Sequence, residues 1–180
     1  MGARACRVQG RGVRAPLSSP SAPVAAPRRH RLLLAAVAAT VVLADQLTKW
    51  WALENLSDGR VVDVLWTLRL NLTFNTGFAF SMGGGLGPAI GIVVVAIVGL
   101  LIWQGRSVTS ATGAVALGLL LGGALSNLAD RALRGDGGFL SGAVVDFIDL
   151  QWWPIFNLAD AAVVIGVALF LVSSTRSPTT

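Results

Sequence analysis

Asp146 and Asp160 are the residues in this chain whose type and spacing could do chemistry. They stand fourteen positions apart. Asp146 lies in an apolar, strand-like run, Val144-Val145-Asp146-Phe147-Ile148-Asp149, and Asp160 closes Phe156-Asn157-Leu158-Ala159-Asp160, which opens a hydrophobic helix. The turn at Trp152-Trp153-Pro154 between them could bring the two carboxylates face to face. Carboxylates at the edge of a membrane helix are costly to hold there and mark a functional site by default. Other hydrolytic chemistries are short of parts. The single histidine, His30, lies in the N-terminal tail, so a Ser-His or Cys-His nucleophile and a His-ligated zinc site both lack their imidazole. Carboxylates, amides and one lysine, Lys49, remain for hydrolysis.

The elements that must position these groups are set by an apolar composition. Of the 180 residues, 54% are hydrophobic and 13% charged, and the mean hydropathy is +0.69, which points to an integral membrane protein. One cysteine, Cys6, excludes an internal disulfide, and no apolar segment precedes it to make a lipidation box. Residues 1–31 hold seven arginines and no acid among Pro, Ala and Ser, and read as a disordered basic cytoplasmic tail rather than a cleaved signal peptide. A membrane domain over 32–172 and a short cytoplasmic tail over 173–180 complete the expected organisation. The first span starts at Leu32, with thirteen residues, apolar but for Thr40, before Asp45. Residues 61–72, rich in β-branched and aromatic side chains, suggest strands. Asn71 to Ser81 follows, then a glycine loop at 83–85. Further spans are expected at about 86–104, 111–129 and 156–172, with a second polar excursion over 134–154.

Charge agrees with four spans. The tail, the loop at 105–110 and the C-terminus carry nine arginines and no acid, whereas all nine acids and the other five basic residues fall on the opposite side. The positive-inside rule then places both termini in the cytoplasm, so the net charge of +5 is topology and not a nucleic-acid footprint. Trp50-Trp51 and Trp152-Trp153 fit an outer aromatic belt and Trp103 an inner one. Three spans are short against the roughly 30 Å hydrocarbon core. The twelve residues from Ala161 to Val172 cover only about 18 Å. If the inner ends sit at the inner boundary, Asp45, Asn127, Asp130 and Asp160 sink to a similar depth near the outer face. A shared inward-facing polar site, joined by Asp146 from the loop, resolves that cost; bilayer thinning is the alternative.

Each motif taken alone also admits a plainer role. Asp45 and Lys49 are four apart in the favourable order for a helical ion pair. Arg131 could satisfy carbonyls at the end of the third helix instead of meeting substrate. Asn157 and Asp160 have the spacing of a capping box. Asp146 and Asp149 could be solvated loop acids, and Asn75-Thr76-Gly77 a turn.

Taken together the motifs resemble those of bacterial lipoprotein signal peptidase, signal peptidase II. The set is Asp45-Gln46-x-x-Lys49, Asn75-Thr76-Gly77-x-Ala79-Phe80, Gly122-Gly123-Ala124-x-x-Asn127-x-x-Asp130-Arg131, Val144-Val145-Asp146-Phe147 and Phe156-Asn157-x-Ala159-Asp160, in order over residues 32–172. Phe78 stands where the family usually has a small residue, and Ser126 where it usually has glycine. The resemblance implies an all-α polytopic membrane aspartic endopeptidase, with four transmembrane helices and a small extracytoplasmic β-rich segment. Its site would lie near the outer face, and it would cleave prolipoproteins before the diacylglyceryl-modified lipobox cysteine. By motif, Asp146 and Asp160 take the catalytic positions. Asn75, Asn127, Asp130, Arg131 and Asn157 take surrounding substrate-binding or shaping positions, and Asp45 and Lys49 a supporting one. The resemblance implies diacylglyceryl-modified prolipoproteins and membrane lipid as partners, no metal or organic cofactor, no nucleic acid, and inhibition by globomycin-type cyclic peptides.

Two rival classes use similar parts. A small proton-coupled transporter also carries intramembrane carboxylates, but inverted repeats and broken helices are not evident here. A structural membrane scaffold leaves the clustered carboxylates without a purpose. The charge layout yields a direct test: reporter fusions at the C-terminus and after Gly137 should report opposite sides of the membrane, and the same side for both would rule out four spans.

Overall fold

The computed structural model describes residues 27–77, 87–135 and 140–175. The basic tail up to residue 26, Phe78 with Ala79, Phe80 and Ser81, the glycine loop at 83–85, Gly137 and residues 176–180 lie outside the described residues. The described elements run α1 (Arg28–Leu56), β1 (Val61–Leu65), β2 (Leu68–Asn75), α2 (Gly87–Gly105), α3 (Ala111–Leu133), β3 (Val144–Asp149) and α4 (Leu158–Thr175). The fold is mostly helical, with one small antiparallel sheet ordered β1-β2-β3.

The helices follow the apolar runs but exceed them where polar side chains find partners. α1 begins at Arg28, before the apolar run, and continues through Asp45, Gln46 and Lys49 to Leu56. Hydroxyls within it fold back onto the backbone, Thr40 Oγ1 donating to Ala36 O and Thr48 Oγ1 to Ala44 O, both at 2.9 Å. Such bonds satisfy a hydroxyl without interrupting the ladder. α4 begins two residues later than Phe156. Phe156 is held in a bridge to Ile148, and Asn157 sits outside the first turn as its cap. α1 and α3 are long and apolar enough to cross a membrane; α2 and α4 carry shorter apolar stretches, Ala89–Gly105 and Leu158–Ser173.

α3 is the centre of the bundle, and its glycines set how close its neighbours come. A Cβ at Gly118 or Gly122 would stand 2.9 Å from Leu34 O or 2.7 Å from Ala38 O on α1, and one at Gly123 would stand 2.6 Å from Ala159 O on α4. Small residues that admit a neighbouring backbone are how helices associate in lipid, where hydrophobic driving force is absent. Leu34, Ala38, Val98, Val108, Ala114, Leu117 and Leu121 form the buried apolar cluster among α1, α2 and α3. Outward, large apolar side chains are exposed along α1, α2 and α4, among them Leu43, Leu47, Ile92, Leu100, Ile165 and Leu171. An apolar surface this continuous suits lipid rather than water.

The strand expectation is met and extended. β1 and β2 form a hairpin through Trp66-Thr67, and β2 reaches Asn75, so the first residue of the Asn75-Thr76-Gly77 motif ends a strand. β3 pairs with β2, placing Asn75 opposite Val144, Thr73 opposite Asp146 and Arg69 opposite Asp149. A shift of register between Leu70 and Thr73 lies between these pairs.

The close α1–α3 approach yields a stability test. Gly122→Val should separate the helices and destabilise by about 1–3 kcal/mol, as overpacking generally does. Gly99→Val should be near neutral, because no heavy atom lies within 4 Å of a Cβ there. Thermal unfolding of the two variants in detergent checks this; equal melting temperatures would show that the bundle does not depend on the contact.

Candidate active site

The polar residues expected at a common depth are joined in one network. Lys49 Nζ, with no exposed side-chain surface, contacts Asp45 Oδ2 at 2.7 Å, Asp130 Oδ2 at 2.8 Å and Asn127 Oδ1 at 2.8 Å. Asp45 is therefore more than an ion-pair partner. Its Oδ2 also accepts from Ser126 Oγ at 2.7 Å, and its Oδ1 accepts from the backbone N–H of Ala159 at 2.8 Å. A carboxylate on α1 thus satisfies an amide in the first turn of α4, where the helix dipole favours negative charge. Asp130 accepts from Gln46 Nε2 at 3.1 Å, Arg134 Nε at 2.9 Å and the backbone N–H of Val145 at 3.2 Å. That last bond ties α3 to the residue immediately before Asp146.

The two carboxylates singled out first are brought to one cleft. Asn157 Nδ2 donates to Asp146 Oδ1 at 2.6 Å, and Asn75 Nδ2 donates to Asp146 Oδ2 at 3.2 Å. Asp160 Oδ1 accepts from Asn127 Nδ2 at 2.8 Å, and its Oδ2 accepts from the backbone N–H of Asn157 at 3.2 Å. The N–H of Asp160 in turn donates to Asn157 Oδ1 at 2.9 Å, which completes the capping box. Asn75 Oδ1 meanwhile accepts from the Gly77 N–H at 3.1 Å, so the motif is also a turn. The plainer role and the site role coexist at both motifs.

Asp146 is almost wholly buried, with 1% of its surface exposed. Burial first, and the charge of Asp160 second, push its carboxyl up to about 7, against the hydrogen bonds from Asn75 and Asn157. Asp149 behaves oppositely. Burial pushes it up, but the Gln151 N–H, Arg69 and Asn71 outweigh that and hold it below the usual carboxylate range. Arg69 Nη2 lies 2.7 Å from Asp149 Oδ2, and the two residues face each other across β2 and β3. Asp149 is buried, not a solvated loop acid, and shares no hydrogen-bond partner with Asp146.

Arg131 is buried at the end of α3, where its Nη2 donates to Gly77 O at 2.8 Å. It reaches across to the end of the sheet rather than to its own helix carbonyls. Its Nη1 is buried with no described partner. The cleft has a volume of about 410 Å³. Asn75, Asn127, Arg131, Asp146 and Asp160 form its polar floor. Ile90, Val93, Val94 and Ile97 of α2, Val163 and Val164 of α4, and Trp153 to Phe156 form apolar walls. Asp45, Lys49, Asp130 and Asn157 lie behind the floor. Among the described residues, no group of three or more His, Cys, Asp or Glu is arranged to hold a metal ion.

Three participants were given no role by the motif reading. Ser126, noted only as a departure from glycine, supplies a buried hydroxyl between Asp45 and Gln46. Gln46 links that hydroxyl to Asp130. The α2 wall had no local signal, because α2 is apolar on every face and only its neighbours choose which face meets the cleft.

The chain matches the family of signal peptidase (SPase) II over residues 37–176. It belongs to the signal peptidase II family. It is 44% identical over 149 residues to the lipoprotein signal peptidase of Mycobacterium avium, covering 82% of this chain and 81% of the relative. It is 42% identical over 156 residues to that of Rhodococcus jostii, covering 86% and 77%. The fold is also that of a solved bacterial membrane enzyme, with a TM-score of 0.70 at 28% identity, covering 87% of this chain and 96% of that one. A signal peptidase II is an aspartic-type enzyme of bacterial membranes. Among its described carboxylates, Asp146 and Asp160 line the cleft, whereas Asp45, Asp58, Asp130 and Asp149 are engaged in ion pairs with Lys49, Arg60, Arg69 and Arg134.

The ion-pair network behind the cleft can be tested directly. Lys49→Met leaves Asp45 as an uncompensated buried charge and Asp130 with Arg134 alone, and should cost about 3–5 kcal/mol of stability. Lys49→Met/Asp130→Asn should cost less than the sum of its two single changes, because the groups are in contact. Denaturation of the four proteins completes the cycle; simple additivity would show that the lysine and the aspartate do not support one another.

Proposed function

We propose that Asp146 and Asp160 together activate water and protonate the scissile peptide as this enzyme removes signal peptides from prolipoproteins. The observation that carries the assignment is Asn157: one side chain holds Asp146 through Nδ2 and caps Asp160 through Oδ1, and both carboxylates line the same cleft. Near neutral pH the pair holds one proton between them. The ionised carboxylate takes a proton from water, whose oxygen attacks the carbonyl carbon, while the protonated one donates to the carbonyl oxygen. Collapse of the tetrahedral intermediate returns a proton to the departing amine nitrogen. Asn75 and Asn127 orient the two carboxylates, and Arg131 offers its second guanidinium nitrogen toward substrate. Asp45, Lys49 and Asp130 hold the three helices that carry these groups.

All four helices cross the membrane, α2 and α4 as short spans, with both termini cytoplasmic and the sheet outside. Supporting this are the one-sided arginines, the exposed apolar flanks and the polar network at one end of the bundle. Bond cleavage precedes the diacylglyceryl-modified cysteine, and the apolar α2 and α4 walls suit a lipid-anchored substrate entering from the bilayer. Globomycin-type cyclic peptides occupy the same cleft.

Asp146→Asn and Asp160→Asn should each abolish most turnover, and the double change should add little, because the two act as a unit. Asp149→Asn should be milder, since it touches Arg69 rather than the cleft. The Asp146 carboxyl is raised, so its proton is present below about pH 7 and lost above it. Single-turnover rates should therefore fall about tenfold per unit on the alkaline side of that value. The assay is cleavage of a diacylated lipobox peptide by purified, folded variants. A near-normal rate for either cleft variant would overturn the assignment, and a larger loss in Asp149→Asn would move it to that residue.

A further inference from the structure

Away from the carboxylates, α1, α2 and α3 leave a second cavity of about 230 Å³. It is lined by Arg31 and Leu34 of α1, Ile102 and Gly105 of α2, Arg106 just beyond α2, and Leu121 of α3. Arg31 lies fourteen residues before Asp45 on α1, about 21 Å along the helix. Both arginines are exposed, whereas Leu34 and Leu121 are buried. Leu121 stands ten residues beyond Ala111, about 15 Å along α3 from its start. Gly105 keeps the groove open near its rim: a Cβ there would stand 2.9 Å from Leu34 Cδ1. Two cations at one end and an aliphatic floor at the other describe an amphipathic ligand.

Among the described residues no acidic side chain neutralises this pair of arginines. No described acid pairs with Arg31 or Arg106, and residues 1–31, 105–110 and 173–180 contain no Asp or Glu. Guanidinium groups match phosphate oxygens in geometry, and basic pockets between spanning helices bind lipid headgroups. A zwitterionic lipid would bring its own ammonium against both arginines, so a net negative headgroup fits better.

We propose that this groove is a binding site for an anionic glycerophospholipid, its phosphate between Arg31 and Arg106 and one acyl chain along Leu34, Ile102 and Leu121. The site is independent of which carboxylates cut the peptide.

Native mass spectrometry of the full-length protein, loaded with equal phosphatidylglycerol and phosphatidylcholine of the same acyl length, tests it. The unaltered protein should retain phosphatidylglycerol by roughly fivefold or more over phosphatidylcholine, as two arginines near a lipid phosphate allow. Arg31→Gln/Arg106→Gln should bring that ratio close to one while retaining peptide cleavage. Ile102→Trp, which fills the groove and leaves both charges, should lower retention of phosphatidylglycerol. Glycerol phosphate, lacking acyl chains, should not compete. No preference in the unaltered protein would mean annular lipid only and would overturn the site. So would a preference that survives both sets of substitutions, or competition by glycerol phosphate, which would mark a simple anion site.

Discussion

The ammonium of Lys49 is the group on which the rest of the site depends. It is a full charge with no exposed surface, and it persists only because Asp45, Asp130 and Asn127 surround it at hydrogen-bonding distance. Two of these partners are on α3, and Asp45 in turn binds the first turn of α4. One lysine therefore sets the relative height of three helices. An ion pair of this kind contributes little net stability against a well-packed apolar alternative, but losing one member is severe. Its value is geometric: helices that slid by one turn would leave charges unpaired in a low-dielectric interior.

The same logic extends to the cleft. Asp130 holds the Val145 amide, Asn157 holds Asp146, and Asn127 holds Asp160, so each carboxylate at the floor is backed by a group that is itself fully engaged. Asn157 serves two purposes at once, starting α4 and orienting the neighbouring strand's carboxylate. Asp146 remains the costly member. It is buried, faces the charge of Asp160 and has no cation in direct contact, which is why its proton is retained to about neutral pH. The acids paired with lysine or arginine have a cation in contact, and Asp146 is in none of the described ion pairs.

Opposite this polar floor stand walls that are almost wholly aliphatic, contributed by α2 and α4. Carboxylates and amides are thus confined to one side of the cleft, and its other side is apolar. The glycines of α3 make this possible, since they draw α1 and α4 close enough for short asparagine and aspartate side chains to reach across.

Much of this was legible in the chain itself. Apolar runs specify helices, because the cost of placing charge in lipid is large and local. The shortage of histidine narrowed the hydrolytic chemistry to carboxylates, and the truncated apolar runs of the first and last spans placed Asp45 and Asp160 at one depth. The capping spacing at Asn157 and Asp160 was visible too, but not that it also held Asp146, since residue 146 lies outside that helix. Which acids would be neutralised and which left facing a cleft was decided by tertiary structure. Asp146 and Asp149 sit in one six-residue strand, and only pairing with β2 sets Arg69 opposite Asp149 and brings the Asn75 side chain, from opposite Val144, within reach of Asp146. Ser126 and Gln46 became part of the network for the same reason. Hydrogen bonds and ion pairs act over a few ångströms, and the residues that meet here are separated by as many as 114 positions in the chain.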